Sequence, residues 1–260
     1  MKHASKFKIT KKILFTETLI IMTGLYRNSG LKIYEKSHYS HGEYIAEVEQ
    51  ILTWYRQRNT RILDIGCSSG LHALEFAKRG FYIEGLDIEQ SAIELAKKRN
   101  SEYMQKAGFR VVDIEKDELC GSEKFDLIYS IGNVLSHVRK NRILNVFLKV
   151  KGCLGKNGIF LFDVLMNTKP FRKEINPKEN ELQIIWKRQI DEETGRIGMD
   201  GIFLDFDFTQ HFEVWGYTIR EITELLNHAG FGNIEFSEKL DFNVKNQTEK
   251  PISLYFRAKY

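Results

Sequence analysis

The sequence is poor in cysteine. Cys67, Cys120 and Cys153 are its three, they form no CxxC pair and they leave an odd count. A disulfide framework and a structural zinc site are therefore not expected, nor any other metal site, and a reducing, cytoplasmic compartment fits better. Long apolar runs are also missing. The nearest approach, from Ile13 to Leu25, follows Lys2, Lys6, Lys8, Lys11 and Lys12 and so copies the layout of a secretory leader. Thr16, Glu17 and Thr18 interrupt it, no A-x-A-like cleavage site follows, and it is too short to span a bilayer as a helix. Residues 1–33 are read as a basic leader, a surface helix or a poorly ordered stretch, and no membrane role is expected. Charge of one sign is scarce: 39 Lys+Arg against 35 Asp+Glu leave +4 over 260 residues. Without a local patch, that surplus does not argue for nucleic acid. Repeats and low-complexity tracts are absent, and 42% hydrophobic against 28% charged residues is the balance of a folded chain.

What is present is an alternation of two periodicities. Tyr44, Ile45, Val48, Ile51, Leu52 and Tyr55 recur at helical spacing, and Arg61 to Ile65 then reads as a short buried strand. A helix over 71–79, a strand over 82–86 and a helix over 91–99 follow. Strands over 109–112 and 125–129, a helix over 139–151 and a strand over 158–162 complete the series. Short apolar strands separated by amphipathic helices imply parallel pairing, because each crossover helix must cover a face of the sheet. Right-handed crossovers then give an α/β, Rossmann-like, doubly wound sheet. Beyond Phe162 the alternation stops. An antiparallel insertion is expected over about 179–216, with strands Ile184–Ile190 and Ile197–Phe208 joined at Glu193-Thr194-Gly195. Thr218, with Glu221 three residues on, marks the start of a helix that ends at Gly230, and two strand-like segments close the chain.

The chemistry is concentrated in Ile62-Leu63-Asp64-Ile65-Gly66-Cys67-Ser68-Ser69-Gly70 and in Gly85-Leu86-Asp87-Ile88. Gly66 and Gly70 fall at a strand-to-helix turn, where a side chain would block a ligand from the backbone or forbid positive φ. Asp87 falls at the tip of the second strand, where a carboxylate can accept both hydroxyls of a ribose. The pattern is not the G-x-G-x-x-G of dinucleotide sites, because Ser68 replaces the middle glycine. Asp64 would repel phosphate. A nucleoside ligand that carries an ammonium and a sulfonium suits that acid better, and S-adenosylmethionine is such a ligand.

At these residues the chain resembles the class I S-adenosylmethionine-dependent methyltransferases, in particular the small-molecule branch. The resemblance runs from about Tyr34 to the C-terminus. It implies a seven-stranded sheet with a reversed C-terminal hairpin, a methyltransferase domain over 34–260, and Gly66, Cys67 and Gly70 under the methionine and ribose of the cofactor. It sets Asp87 on the ribose and Ile88 against adenine. Val112-Asp113-Ile114 is similar to the third-strand motif, whose Asp reaches the adenine amino group; the bland alternative is that Asp113 faces water. Phe125 to Ser130 resembles the fourth strand, which leads into Ile131-Gly132-Asn133 beside the methionine end, so that the resemblance sets Ser130 and Gly132, with Ile114, among the cofactor-binding residues. Ser68-Ser69 departs from the more usual Gly-Thr or Gly-Ser.

On the acceptor side, the run from Gly132 to His137 looks like the corresponding part of glycine and sarcosine N-methyltransferases. Asn133 and His137 either orient the acceptor and take its proton or cap the next helix. Tyr34 and Tyr39 resemble tyrosines that close over the cofactor, or are core. His211, Trp215 and Tyr217 either line the inner face of the insertion or pack in it. Transfer of a methyl from sulfur is an in-line displacement governed by alignment, so the lack of a Ser/His/Asp or metal cluster is no objection. It mildly favours a nitrogen acceptor or an acidic hydroxyl. The leading expectation is a small-molecule acceptor, nitrogen slightly ahead of oxygen, with the protein a monomer or homodimer. The rivals are an RNA methyltransferase, against which this sequence has no Asn/Asp-Pro-Pro-Tyr/Phe tetrapeptide for a flipped base and no catalytic cysteine motif, and a non-catalytic module that only binds the cofactor. Replacing the ribose carboxylate tests the core of this reading. Asp87→Ala is expected to weaken S-adenosylmethionine binding about ten-fold or more, since hydrogen bonds to a charged group are worth about 1.5–3 kcal/mol. Unchanged affinity in calorimetry would refute the assignment.

Overall fold

A computed structural model of the chain describes residues 24–27, 29–39, 41–55, 60–102, 107–167, 171–175, 184–206, 208–243 and 251–260. Helices α1 (Ser29–His38) and α2 (Glu43–Trp54) precede an alternating series. It runs β1 (Arg61–Ile65), α3 (Leu71–Lys78), β2 (Tyr82–Asp87), α4 (Gln90–Glu102), β3 (Ala107–Val111), β4 (Phe125–Ser130), α5 (Ile143–Cys153) and β5 (Leu154–Leu165). Four strands follow, β6 (Phe171–Ile175), β7 (Ile184–Ile190), β8 (Arg196–Phe203) and β9 (Phe208–Trp215). The chain closes with α6 (Ile219–His228), β10 (Gly232–Ser237) and β11 (Ser253–Lys259).

The main sheet has the order β10-β11-β5-β4-β1-β2-β3. Strands β1 to β5 are parallel, and β11 runs antiparallel to both β5 and β10. This is the doubly wound sheet with a reversed hairpin that the alternation implies. Successive residues supply opposite faces, as strand geometry requires. Leu63, Ile65, Phe160 and Phe162 join Phe147 and Phe256 in one core, while Ile62, Leu127, Tyr129 and Leu161 join Phe76 and Ile93 in the other. Both faces are covered, which is why these strands read as unbroken apolar runs.

The order reverses between β1 and β4, and the crevice outside the carboxyl ends of the strands opens there. A second, four-stranded antiparallel sheet, β6-β7-β8-β9, is inserted between β5 and α6. The expected hairpin is right for β7 and for its turn, where Asp191 Oδ1 accepts from the amides of Glu193 and Thr194. Its second strand is wrong. It holds only to Phe203, where β8 ends; a 3-10 turn at Leu204–Phe206 follows, and Phe208 already begins β9. Residues at the end of the expected leader take part in this layer, for Leu25 and Ile33 pack with Ile184 and Phe203. Lys2, Lys6, Lys8, Lys11 and Lys12 lie outside the described residues.

Two further departures concern local chemistry. The helix expected over 139–151 begins at Ile143, and a separate 3-10 turn, Val134–His137, precedes it. Cys120 and Cys153 form a disulfide, which corrects the expectation of none. They are 33 residues apart, and the return of α5 beside the loop before β4 is what brings them together. The expected capping box at α6 is present: Thr218 Oγ1 accepts from the Glu221 amide and Glu221 Oε2 from the Thr218 amide. Among the described residues no helix is long and apolar enough to cross a membrane.

Gly70 caps α3 at φ +80°, and a Cβ there would meet the Phe109 ring at 2.9 Å and Ala96 Cβ at 3.0 Å. Gly70→Ala therefore combines a left-handed backbone with a crowded helix–sheet contact. A loss of about 1–3 kcal/mol in urea unfolding is expected. Wild-type stability would show that the turn does not need glycine.

Candidate active site

The site is built on the turn that follows β1. Gly66 and Cys67 donate their amides to Leu86 O at 2.7 and 2.9 Å, which ties the turn to β2. Gly66 has φ +79°, and a Cβ on it would lie 2.5 Å from the Val134 side chain. Asp87 fixes the other side. Its Oδ2 accepts from the Ser68 amide at 2.8 Å and its Oδ1 from the Glu89 amide at 2.9 Å. Ser68 itself is left-handed, at φ 48°. The carboxylate at the tip of β2 is thus set in place by backbone, with its remaining acceptor capacity available.

Of the residues expected to hold the cofactor, Tyr39, Asp64, Gly66, Cys67, Asp87, Ile88 and Gly132 line one cavity of about 270 Å³. Asp113 and Ile114 line an adjoining one, which shares Gly66, Asp87, Ile88, Val134 and His137 with the first. There the Asp113 carboxylate also binds Lys116 Nζ at 2.7 Å and caps its own turn through the Glu115 amide. Gly70 and Ser130 are not in the lining. Gly70 serves the α3–sheet contact, and buried Ser130 donates its hydroxyl to Ile65 O at 2.9 Å, bracing β4 against β1.

The electrostatics are one-sided. Asp64, at the carboxyl end of β1, is 3% exposed, and burial pushes its carboxyl up to about 7 against the opposing pull of His72 and the Tyr129 hydroxyl. His72 in turn meets Glu47 Oε2 at 2.6 Å. Glu35, from α1, is held by Arg99 at 2.7 and 2.9 Å and by the Ser69 hydroxyl. Glu35, Asp64, Asp87 and Glu89 all line the first cavity, and no lysine or arginine does so among the described residues. Such a lining suits a cation and opposes a phosphate.

A further cavity of about 300 Å³ lies under the inserted sheet. It shares Tyr26, Tyr34, Tyr39, Ile131, Gly132 and His137 with the first. Trp186, Met199, Phe212 and Val214 come to it from the second sheet, and Asn133, Asp163, Leu165 and Tyr255 from the main one. Asn133 is held in a left-handed conformation at φ 60°; its amide donates to Asp163 Oδ1 at 2.7 Å and its Oδ1 accepts from Ser253 Oγ at 2.9 Å. His137 lines all three cavities, and the protein packed around its ring lowers its basicity. The Tyr34 and Tyr39 hydroxyls hydrogen-bond to each other where the first and third cavities meet.

His211 does not reach this site. Its side chain is 60% exposed and its Nδ1 lies 2.8 Å from Asp200 Oδ1. Alternation along β9 turns Phe212 and Val214 toward the cavity and His211 and Glu213 away from it. Tyr217 belongs to the main core, and Trp215 packs on that core. Tyr26, Glu47, His72, Asp163, Trp186 and Phe212 are site residues that sequence reasoning missed. Asp163 carried a signal, a carboxylate inside the otherwise apolar run from Ile159 to Leu165. The others carried none.

Comparison with known proteins agrees with this geometry. Residues 62–158 match the family described as Methyltransferase domain. A provisionally named methyltransferase of Geobacillus sp. (strain WCH70) is 25% identical over 221 residues, 78% of this chain and 86% of the relative. The ubiquinone biosynthesis O-methyltransferase of Rickettsia felis is 30% identical, but over 49% of this chain and 50% of its own. In fold, the chain is similar to CalS10, an amino pentose methyltransferase from Micromonospora echinaspora solved with S-adenosylmethionine bound. Their TM-score is 0.65 and their identity 16%, over 92% of this chain and all of that one. The protein carries a methyltransferase domain on the methyltransferase fold. The domain match and the shared fold support an S-adenosylmethionine-dependent methyltransferase.

The buried acid gives a signed pH dependence. Folded Asp64 keeps its proton to about pH 7, whereas the unfolded chain releases it near 3.8. Between those values the folded state binds more protons, so this group lowers stability as pH rises through the window. Asp64→Asn is therefore expected to melt several degrees above wild type at pH 8, to match it near pH 4, and to bind S-adenosylmethionine more weakly. Parallel melting curves at the two pH values would contradict the assignment.

Proposed function

We propose that the enzyme methylates a small-molecule acceptor, at nitrogen in preference to oxygen, in the cavity beneath the inserted sheet. One observation carries this reading: the two cavities meet along Tyr26, Tyr34, Tyr39, Gly132 and His137. An acceptor in one and a cofactor in the other therefore face each other across a single ring of side chains. The acceptor side is walled by the chain's own second sheet, which suits a small molecule better than a polynucleotide. Relatives named for ubiquinone O-methylation and for an amino pentose are consistent with a small acceptor.

The lining supports a division of roles. Asp87 takes the ribose hydroxyls, Ile88 covers the adenine, and Asp113 with Ile114 borders the adenine in the adjoining cavity. Gly66 and Cys67 offer a close backbone, and Asp64 faces the positive methionine end. S-adenosylmethionine supplies, when bound, a methyl group on a positive sulfur. The residues of the chain align the acceptor, exclude water and manage protons. A neutral amine attacks with its own lone pair, whereas a hydroxyl needs a base during attack. His137, at the junction and with its basicity lowered, can accept a hydrogen bond or a proton from the acceptor, and Asn133 shapes the wall beside it.

Release of S-adenosylhomocysteine over a panel of amines and phenols tests the reading directly. His137→Ala is expected to lower turnover about ten-fold or more while the calorimetric affinity for S-adenosylhomocysteine stays put, since a positioned proton acceptor contributes roughly 10²–10⁴. Wild-type turnover in the variant would return His137 to a packing role.

A further inference from the structure

The acceptor cavity is both acidic and aromatic. Asp163 and Glu47 lie in its lining, and no lysine or arginine does among the described residues. The rings of Tyr34, Tyr39, Trp186 and Phe212 complete the enclosure. Asp163 stands inside β5, 4% exposed, between Phe162 and Val164, both fully buried. Its partners are neutral: the amides of Asn133 and Gly132 donate to it. The nearby charge is of its own sign, Glu47, which is paired with His72.

Burying a carboxylate among apolar side chains beside a second acid costs stability unless a cation arrives to offset it. A neutral acceptor would leave that cost standing, and an anionic one would add to it. Aromatic faces around the same space attract a positive nitrogen and repel a negative oxygen. The position of the acid is equally specific. Gly132, whose amide binds Asp163, lines the cofactor cavity as well as the acceptor cavity. A group held at Asp163 therefore sits beside the junction.

We propose that the acceptor is a cationic amine with an apolar body, held through its ammonium by the Asp163 carboxylate with Glu47 as the second acid, and packed against Trp186 and Phe212. This rests on the methyl-transfer reading of the site and specifies its substrate class. An ammonium has no free lone pair, so one N–H proton must leave before attack. It passes to the Asp163 carboxylate, giving a carboxylic acid and a neutral amine, and methylation then restores one positive charge to the nitrogen. Burial and the Glu47 charge, which push the Asp163 carboxyl up to about 7, fit it to hold that proton for the moment required.

The test uses the full chain loaded with S-adenosylhomocysteine. Matched probes are titrated by calorimetry: 2-phenylethylamine, 2-phenylethanol and 3-phenylpropionate, with the same three end groups on cyclohexyl and indole bodies. The amine of at least one body is expected to bind ten-fold or more tightly than its alcohol, with no binding of the carboxylates. Asp163→Asn should abolish that preference, and Glu47→Gln should reduce it, while the affinity for S-adenosylhomocysteine is retained in both. Alcohols or carboxylates that bind as well as the amines overturn the proposal. So does the failure of every amine, or an Asp163→Asn protein that keeps the preference. If Asp163→Asn does not fold, an unchanged preference in Glu47→Gln overturns it. Loss of S-adenosylhomocysteine binding by the wild type would instead defeat the methyl-transfer reading itself, so the two failures are separable.

Discussion

Two carboxylates buried at the carboxyl ends of parallel strands govern this molecule. Asp64 ends the apolar run of β1 and Asp163 stands near the end of that of β5; both are almost fully enclosed and both are pushed up to about 7. No lysine or arginine lines either cavity among the described residues. Neighbouring dipoles temper the cost. The Tyr129 hydroxyl and His72 attend Asp64, and the amides of Asn133 and Gly132 attend Asp163. Such an arrangement is stable enough to fold and is improved by a positive ligand, which is what a sulfonium cofactor brings.

The sheet explains why those acids converge. In a doubly wound sheet the strand ends on either side of the reversal face one crevice, so residues far apart in sequence share it. Strands β1 and β2 contribute Asp64 and Asp87, and β4 leads into Gly132 and Asn133. The same crevice is open toward β5, and the inserted sheet closes that side with Trp186, Met199 and Phe212. Helix α1 ties the halves together: Tyr34 borders both cavities, and Glu35 is clamped by Arg99 of α4.

How much of this was legible follows from what each element depends on. The parallel strands were readable because burial on both faces leaves continuous apolar runs, as in Arg61 to Ile65 and Phe125 to Ser130. The capping box at Thr218 and Glu221 was readable because it is local chemistry. The division of β8 from β9 was not, because the 3-10 turn at Leu204–Phe206 carries no glycine or proline to mark it. Losing that turn also hid which face of β9 looks inward, and with a side-chain period of two the error fell on His211 instead of Phe212. Tyr26 and Glu47 reach the site only through packing of the turn before α1 and of α2 against other layers, and the Cys120–Cys153 pair only through the return of α5. Tertiary contacts of that kind leave no mark on a single sequence.

The two acids also answer a difficulty that the proposed chemistry creates. A sulfonium and an ammonium in adjoining cavities are like charges, and at about 5 Å with an effective dielectric near 20 their repulsion is roughly 3 kcal/mol. A site with one acid would favour one cation and exclude the other. Here each cavity has its own buried carboxylate, so both positive groups can be accommodated before reaction. Moving a proton from the ammonium to Asp163 then removes the repulsion at the step where nitrogen and methyl carbon must approach. On this reading the high proton affinity of Asp163, which is a liability for the empty fold, is what allows the acceptor to enter charged and react neutral.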